Sequence, residues 1–396
     1  MRRTHECRRP GYGVVLIGAL AGAVPAHGQC QTTEPTYSSF LYLATWPDND
    51  SPGWHSEVQG LAHDDDHWYI IQTDTIWRIP VQHDLSHDAS AFPHRYISSY
   101  TQLAGYNHFG DADCYRLPGG GPRVLVVPVE GTPPQPVIAF FRADDGLACY
   151  GKADLSVGQG RNAAWAAVDP QGLLYSSPDG ASANQLFVYR VNWVELASGQ
   201  PPSLTYVQTI TLLDESGQPL PLEQTQGGEF APAGNVFYFA TGFYDRHYQN
   251  DGINAFDTTT WKRIRRAAQE VMPFLYHFDA GGVSFEEPEG LTVWDLTDCY
   301  APGVGGELHA LVLNNGVPDT VRLLHYADSM CVDRTFTGQS DWGKPHAPFK
   351  TVGEANAAAW DGARIKIKAG SYPETLVFSK RLQLLSNEGM VRIGAP

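Results

Sequence analysis

Several signatures of common function classes are missing from this chain. It has no GxSxG, HExxH or P-loop motif, and its cysteines and histidines show no spacing typical of a zinc site. Basic residues are also few, 27 against 43 acidic ones, and the resulting net charge of −16 repels nucleic acid and anionic lipid. The sequence therefore excludes nucleic acid as an expected partner and names no reaction by motif.

Long apolar runs are scarce as well, and the longest lies at the N-terminus. Four arginines in "MRRTHECRRP" precede the uncharged stretch "GYGVVLIGALAGAVPA", a pattern typical of a secretory signal peptide cut near Ala26 or Gly28. The apolar stretch is shorter than the roughly 20 residues that a membrane span needs. We therefore predict a signal peptide over 1–28, a secreted or periplasmic protein, and no membrane span.

Cysteine is also scarce. The chain has six cysteines, and removing the leader with Cys7 leaves an odd number, so at least one is free or pairs between chains. Two interpretations remain open for the later ones. Cys299 and Cys331 form a disulfide, or both are ordinary thiols.

Turn formers and aromatic residues are abundant, which favours a β protein. The chain holds 40 Gly, 28 Pro, 19 Tyr, 17 Phe and 10 Trp, and short apolar strands recur over residues 37–327. A short sequence motif, called the phrase below, repeats five times at intervals of 49–64 residues. It consists of a polar residue, then a small residue, then an apolar strand. The copies are "EVQGLA" at Gln59, "DADCYR" at Asp113, "RNAAWAAV" at Asn162, "QTQGGEF" at Gln226 and "EPEGLTVW" at Glu289.

Each copy of the phrase is followed by two further strand candidates, and some copies by a third. Five four-stranded units predict an all-β fold, a five-bladed β-propeller, over residues 37–327. The fifth unit lacks a fourth strand, whereas a spare strand, "SFLYLATW" at 39–46, precedes the first unit. We therefore predict that residues 39–46 close the ring by pairing with about 321–327.

The first strand of each blade lines the central channel of a propeller. Side chains two positions apart on a strand face the same way, so each phrase offers two polar positions to the axis. The predicted ring consists of Gln59, Asp113, Asn162, Gln226 and Glu289, preceded by Glu57, Asp111, Gln224 and Glu287.

The ring is rich in oxygen ligands, and this chemistry has three interpretations. Oxygen donors suit Ca²⁺, which makes it the candidate cofactor, with Asp113 and Glu289 as its ligands. In a hydrolase, His108 would be the general base beside Asp111 and Glu287. In a plain channel mouth, these groups would only hold water. The remaining candidates, predicted to bind a ligand, are Glu57, Gln59, Asn162 and Gln226.

Two further motifs resemble sites. "HDDDH", residues 63–67, looks like a metal site, but its place between two strands predicts a hairpin turn, where Asp is favoured. Trp54 lies near the expected channel entrance, where an indole ring can stack on a sugar.

The chain changes character after Asp328. We predict a linker over 328–341 and a second unit over 342–396, with a helix in "KTVGEANAAAW" and strands at 363–370, 375–380, 382–386 and 391–394. The unit resembles the start of the right-handed parallel β-helix of pectin-lyase-like proteins, in which a capping helix precedes such an "IKIKAGSYPE" stretch. It contains little more than one coil, and solenoids need about three repeats. Either the polypeptide is truncated, or this segment packs on the propeller or a partner.

The propeller region also resembles a known group. The strings "QGLAHDDDHW", "HFGDADCY", "QGGEF" and "EPEGLTVWD" are similar to exported bacterial propeller proteins of no established activity, over residues 37–327. The resemblance implies a fold and no function. We expect an exported binding or scaffold protein for glycans or surface polymers. The alternatives are a cation-dependent hydrolase, of glycosidase, esterase or phosphatase type, and a structural part of a larger envelope protein.

Overall fold

The structure is a computed structural model. It describes residues 15–17, 41–48, 52–131, 135–144, 146–178, 180, 183–242, 250, 252–267, 286–296, 301–314, 320–327, 329–338, 343, 347–359 and 363–394. Within this part of the chain, no helix is long and apolar enough to cross a membrane.

Five antiparallel sheets form a five-bladed β-propeller, as the repeat predicts. The first two strands, β1 (Val15–Ile17) and β2 (Leu41–Asp48), join sheets made by later parts of the chain. Blade 1 contains β3 (Val58–His63), β4 (His67–Gln72), β5 (Thr75–Pro80) and β6 (His94–Tyr96), and blade 2 contains β7 (Tyr106–Phe109), β8 (Asp113–Arg116), β9 (Arg123–Gly131), β10 (Val137–Arg142) and β11 (Cys149–Asp154). Blade 3 contains β12 (Ala167–Val168), β13 (Leu173–Ser176), β14 (Gln185–Val191) and β15 (Leu204–Thr211), and blade 4 contains β16 (Thr225–Phe230), β17 (Val236–Thr241), β18 (Gly252–Asp257) and β19 (Arg263–Ala267). Blade 5 contains β20 (Glu286–Val293), β21 (Leu308–Asn314) and β22 (Thr320–Ala327).

Short helical segments lie between the blade strands. They are the helix α1 (Trp193–Ala197) and three 3₁₀ turns, Ile97–Ser99, Thr101–Leu103 and Val157–Gln159. Asn192 caps α1 by accepting a hydrogen bond from the N–H of Glu195.

The ring closes through the N-terminal strand. β2 pairs antiparallel with β22 and forms the outer strand of blade 5, with Leu41 opposite Ala327 and Thr45 opposite Leu324. The predicted pairing of residues 39–46 with about 321–327 is therefore confirmed. The Nε2 atom of His325 in β22 also lies 3.0 Å from the carbonyl oxygen of Trp46 in β2.

Apolar packing is continuous around the ring. Each of the five interfaces between neighbouring blades has its own buried cluster, as radial blade packing requires. The interface that closes the ring contains Trp54, Trp68 and Ile79 from the blade 1 region and Leu311 and Leu323 from blade 5. Trp54 is fully buried there, so it is a core residue, and its predicted exposure to a sugar is wrong.

Blades 1, 4 and 5 share a backbone irregularity in their inner strands. The register between the first two strands of a blade shifts by one residue at Gln59, Gln226 and Glu289, which marks a β-bulge at each of them. Two positions earlier, Glu57 and Gln224 have φ values of 50° and 54°. The repeated phrase in blades 1, 4 and 5 is therefore a structural repeat as well.

The C-terminal unit contains a small parallel sheet. Strands β23 (Ser329–Val332), β24 (Ala363–Tyr372) and β25 (Leu382–Ile393) pair in parallel, and β1 adds to the free side of β25. Helix α2 (Val352–Ala358) precedes β24 and begins with a capping box. Residues 375–380 form no strand, contrary to prediction, because Leu376 and Phe378 pack against the sheet core without ladder hydrogen bonds.

An ion pair and apolar packing join this unit to the propeller among the described residues. Lys366 in β24 forms an ion pair with the buried Glu307 before β21, at 3.2 Å between Nζ and Oε1. Ala327, the last residue of β22, belongs to the apolar cluster of the C-terminal sheet. The proposed disulfide cannot be placed, because Cys299 lies outside the described residues.

Candidate functional site

The side chain of Asp111 is fully buried at the centre of the propeller, where inner strands of other blades surround it. Asp111 has no exposed surface, and its side chain accepts hydrogen bonds from the backbone N–H groups of Leu61 (2.9 Å), Gly228 (3.3 Å) and Leu291. Those donors come from blades 1, 4 and 5, and the Asp111 backbone bridges to Trp165 in blade 3. Asp111 from blade 2 therefore links all five blades at the axis.

Glycines allow this close approach. A Cβ atom built on Gly60, Gly227 or Gly290 would lie within 3.0 Å of Asp111 atoms. These are the small residues that follow Gln59, Gln226 and Glu289 in the repeated phrase. The phrase is thus explained by packing around a central aspartate.

Polar side chains gather on one side of Asp111, where the inner strands of blades 1, 4 and 5 begin. His108 Nε2 lies 2.7 Å from Gln59 Oε1, so Nε2 donates, and Gln59 Nε2 donates in turn to Glu289 Oε1 at 3.5 Å. Gln226 Nε2 donates to Glu287 Oε1. We call this set the mouth cluster: Glu57, Gln59, His108, Gln226, Glu287 and Glu289.

Burial sets the protonation of the mouth cluster. It raises the pKa of Glu289 well above its usual range, and the charges of Glu287, Asp111 and Glu57 raise this pKa further. Burial also lowers the pKa of His108, which favours the neutral imidazole. The mouth thus presents neutral and negative groups side by side.

The predicted single ring is wrong for two residues. Asp113 lies on the opposite side of Asp111, where it lines a pocket with His63 and Val293. Those two residues follow Gln59 and Glu289 by four positions, or about 13 Å along a strand. Asn162 is exposed and lines another pocket, with Gln159, Arg161 and Gln185 among others.

The cause is a register ambiguity in blades 2 and 3. The inner strands of these blades meet through the Asp111 to Trp165 bridge, and the N–H of Leu61 donates to Asp111. Asp111 therefore lies at the level of Leu61, whereas the repeated phrase aligned it with Glu57, four positions earlier. Of the other predicted residues, Gln224 is half-buried at the turn before β16. Its carbonyl oxygen accepts a hydrogen bond from the N–H of Gly242.

The pocket on the Asp113 side, called the far pocket below, has a volume of about 410 Å³. All five blades contribute to it, so it is the other end of the channel. Its polar lining includes Asp113 and Glu229, which are both buried, and Arg116 and Arg123, which each form an ion pair with Asp65.

The two buried carboxyl groups of the far pocket are held by backbone donors. Asp113 accepts hydrogen bonds from the N–H groups of Cys114 (2.5 Å) and Val168 (2.6 Å), and Glu229 accepts one from Phe230 (2.9 Å). Burial raises the pKa of Asp113 to about 6, and burial together with the charge of Asp113 raises that of Glu229 well above its usual range. Sequence reasoning missed Glu229, because it follows two glycines inside an apolar strand.

One set of side chains in the described part of the chain is compact enough for a metal ion. Asp64, Asp66 and His67 offer ligand atoms within 4.8 Å of one another. Asp64 also accepts hydrogen bonds from the N–H groups of Asp66 and His67 and from the hydroxyl of Tyr69. The segment is the hairpin between β3 and β4, as predicted. Asp113 and Glu289, the predicted Ca²⁺ ligands, are on opposite sides of Asp111.

The chain matches no protein-family model and no curated protein. Among solved structures, it is similar to a GH43_1 enzyme from Xanthomonas citri, with 11% identity over 72% of this chain and 90% of that one, at a TM-score of 0.41. It is also similar to the Dos1 propeller, with 9% identity over 68% and 59% of the two chains and a TM-score of 0.31. A protein of unknown function from Bacteroides thetaiotaomicron shows 10% identity over 70% and 72%, at 0.37. Likenesses this weak carry no argument about activity, and the five-bladed architecture rests on the strand pairing given above.

Proposed function

We propose that this protein is an exported binding protein that recognises glycans or similar surface polymers at the mouth cluster. The observation that carries the proposal is the pair of hydrogen-bonded chains, His108 to Gln59 to Glu289 and Gln226 to Glu287. They place amide donors and carboxyl acceptors side by side on inner strands, on the mouth side of Asp111. A surface of this kind suits a ligand whose hydroxyl groups both donate and accept.

Rigid support strengthens this proposal. Gln59, Gln226 and Glu289 each lie at a β-bulge, which turns a side chain out of the regular alternation of its strand. Bulges next to binding sites commonly aim a side chain at a ligand. A pre-formed site loses little conformational entropy when the ligand binds.

A glycan array followed by calorimetry tests the proposal. Residues 29–396 should bind at least one glycan class, and Gln226→Ala and Glu287→Gln should each weaken binding about tenfold or more. Gln226→Ala removes a hydrogen-bonding side chain, and Glu287→Gln replaces a carboxylate oxygen by an amide that cannot accept at that atom. Asp214→Asn, on an exposed turn, is the matched control and should bind as the wild type does. Equal binding by wild type and both mouth variants would overturn the assignment of the site.

The hydrolase alternative keeps one specific observation in its favour. Burial and the neighbouring mouth acids raise the pKa of Glu289 well above its usual range, which favours the protonated form that a general acid needs. Turnover of a glycan, ester or phosphate that Glu289→Gln abolishes, with the fold unchanged, would favour this alternative. If Ca²⁺ takes part, as the carboxylates suggest, the melting temperature should rise in Ca²⁺ relative to EDTA, and Glu289→Gln should remove the rise.

We also propose that the C-terminal sheet is the start of a parallel β-helix attached to an exported propeller. The parallel ladder of β23, β24 and β25 supports this, as does the capping helix α2. Glu374 accepts hydrogen bonds from the N–H groups of Val352 and Gly353 and so ties the helix to the sheet. Recovery of the processed protein from the periplasm or medium, with N-terminal sequencing, tests the export.

A further inference from the structure

The pocket beside Asn162, called the blade 3 pocket below, lies on the same side of Asp111 as the mouth cluster. Its volume of about 410 Å³ is within the usual range for small-molecule sites. Its lining includes residues 158–162, which precede β12, and Gln185 at the start of β14. Trp165 is level with Asp111 through their backbone bridge, and Asn162 comes three positions before it. Gln59 likewise precedes the level of Asp111, so both side chains are on the mouth side.

Blade 3 supplies no member of the mouth cluster, and the blade 3 pocket occupies this part of the propeller face. Ser177, which precedes the lining residue Pro178, donates a hydrogen bond from its Oγ atom to Thr225 Oγ1 at 3.3 Å. Thr225 comes directly before Gln226 of the mouth cluster. The pocket is therefore a neighbour of the mouth cluster, with a lining of its own.

The base of the blade 3 pocket is held by buried hydrogen bonds. Gln159 has no exposed surface. Its Nε2 atom donates to Ser176 Oγ, and its Oε1 atom accepts from the Tyr189 hydroxyl, both at 2.7 Å. At the other end of the loop, the N–H of Ala163 donates to Glu130 Oε1. The short loop between these two fixed points is pre-formed, so little conformational entropy is lost when a ligand binds to it.

Two glycines of the pocket lining have a left-handed backbone. Gly160 has a φ of 88° and Gly180 a φ of 71°, values that residues with side chains rarely adopt. A Cβ atom on either would meet no atom within 4 Å, so the backbone conformation, and not crowding, favours glycine there. Successive N–H groups at turns of this kind form concave sites for anions. The N–H groups of Arg161 and Asn162, which follow Gly160, make no hydrogen bond within the described part of the chain.

Arg161 is a cation without a partner. Its side chain is exposed and forms no hydrogen bond or ion pair with another described residue. Acidic residues outnumber basic ones by 43 to 27, and Arg123, Arg142 and Arg263 each have a carboxylate partner. The described lining of the pocket contains no carboxyl group. The charge of Arg161 is therefore available to a negative group from outside the chain.

The acidic groups of the mouth cluster do not oppose an anion at this place. They are Glu57, Glu287 and Glu289, which belong to blades 1 and 5, and neither blade is adjacent to blade 3. The carboxylate of Glu130 in blade 2 accepts the N–H of Ala163. The other polar side chains of the lining are amides, which donate as well as accept hydrogen bonds.

We propose that the blade 3 pocket is a second binding site, for the carboxylate of an acidic sugar, held by the Arg161 guanidinium and the backbone N–H groups of Arg161 and Asn162. A guanidinium group binds both oxygens of a carboxylate at once, which favours this anion. The volume exceeds that of one carboxylate, and the amides of Asn162 and Gln185 match the hydroxyl groups of a sugar ring. The proposal does not depend on glycan binding at the mouth cluster.

Calorimetry on residues 29–396 at low salt and near neutral pH, with D-glucuronate, D-glucuronamide and acetate, tests the proposal. Glucuronate should bind, and glucuronamide, which has the same ring without the charge, should bind about tenfold more weakly or worse. Acetate should bind more weakly than glucuronate, because it lacks the ring hydroxyl groups. Equal affinity for acetate would overturn the assignment to a sugar. No binding of glucuronate, or equal affinity for glucuronamide, would overturn the site.

Variants give an independent readout. Arg161→Gln should weaken glucuronate binding about tenfold or more. Arg161→Lys keeps the charge without the paired N–H groups and should weaken binding less. Gly160→Ala should also weaken binding, because alanine disfavours the left-handed backbone. Arg190→Gln is the matched control, since Arg190 is exposed on β14 of the same blade and outside the pocket lining. Unchanged affinity in folded Arg161→Gln, or an equal loss in Arg190→Gln, would contradict the site.

Discussion

At the scale of single residues, the space around Asp111 is the tightest constraint in the molecule. Gly60→Ala places a Cβ atom 2.5 Å from the Asp111 Cα atom, where no flexible side chain can move aside. We expect a loss of about 3 kcal/mol or more in the free energy of unfolding, or failure to fold, from overpacking and the three disturbed hydrogen bonds. Gly305→Ala is the control, since nothing lies within 4 Å of its added Cβ. Urea denaturation measures both, and similar stability of the two variants would refute the central role of Asp111.

A buried histidine pair predicts how stability depends on pH. His309 and His325 face each other with 2.8 Å between their Nδ1 atoms, and burial lowers the pKa of His325 to about 4. The unfolded pKa is about 6.5, so between these values the unfolded state binds more protons. The stability contributed by a neutral His325 is therefore present above pH 6.5 and is lost as the pH falls towards 4.

The size of this effect can be measured with a variant. We expect His325 to account for a loss of about 2 kcal/mol between pH 7 and pH 5. His325→Gln should remove that part of the pH dependence, whatever its effect at pH 7. The raised pKa of Asp113 has the opposite effect on stability, because near pH 5 the folded state binds more protons at this carboxyl than the unfolded state does. Asp113→Asn should therefore increase the loss in the free energy of unfolding between pH 7 and pH 5. An identical pH slope in wild type and His325→Gln, from urea denaturation at both pH values, would contradict the assignment.

The sequence predicted part of the candidate site, and the reason it stopped there is physical. Alternation along a strand has a period of two, so it predicts which side chains face the axis but not how far along the axis they lie. Gln59, Gln226 and Glu289 were aligned by their glycines and lie together. Asp113 was aligned with Gln59 but lies level with His63, four positions further along, a shift that keeps its facing and moves it to the far pocket.

At the scale of elements, the ring depends on a strand that is distant in sequence. β2 supplies the fourth strand of blade 5, and the carbonyl oxygen of Trp46 lies 3.0 Å from His325 Nε2. Removing residues 29–48 leaves the edge of β22 unpaired. We expect the melting temperature to fall by roughly 5–10 °C, or the protein to aggregate, because an exposed strand edge recruits other chains. Removal of 29–36 alone is the control, and equal melting of both shortened proteins would show that β2 is not needed.

Element boundaries were predictable where a turn separates two apolar runs, and less so elsewhere. The spare strand at 39–46 was recognised because blade 5 lacked a partner, and the structure has it at 41–48. The inner strand of blade 2 is divided into β7 and β8, which both pair with β9, because the chain between them crosses the axis at Asp111. No local pattern marks that crossing, since it depends on glycines in three other blades.

At the scale of the whole molecule, Asp111 lies between two chemically different ends of the channel. The mouth cluster combines amides, acids and a neutral imidazole, whereas the far pocket pairs two buried acids with arginines at its rim. The acidic net charge of −16 disfavours nucleic acid as a partner.

The most direct measurement is the affinity of residues 29–396 for the tightest ligand of a glycan array, compared with Gln226→Ala, Glu287→Gln and Asp214→Asn by calorimetry. If the mouth cluster is the glycan site, the two mouth variants bind about tenfold more weakly or worse, and Asp214→Asn binds as the wild type does. If no glycan binds, or if the mouth variants bind as tightly as the wild type while remaining folded, the mouth cluster is not a glycan site.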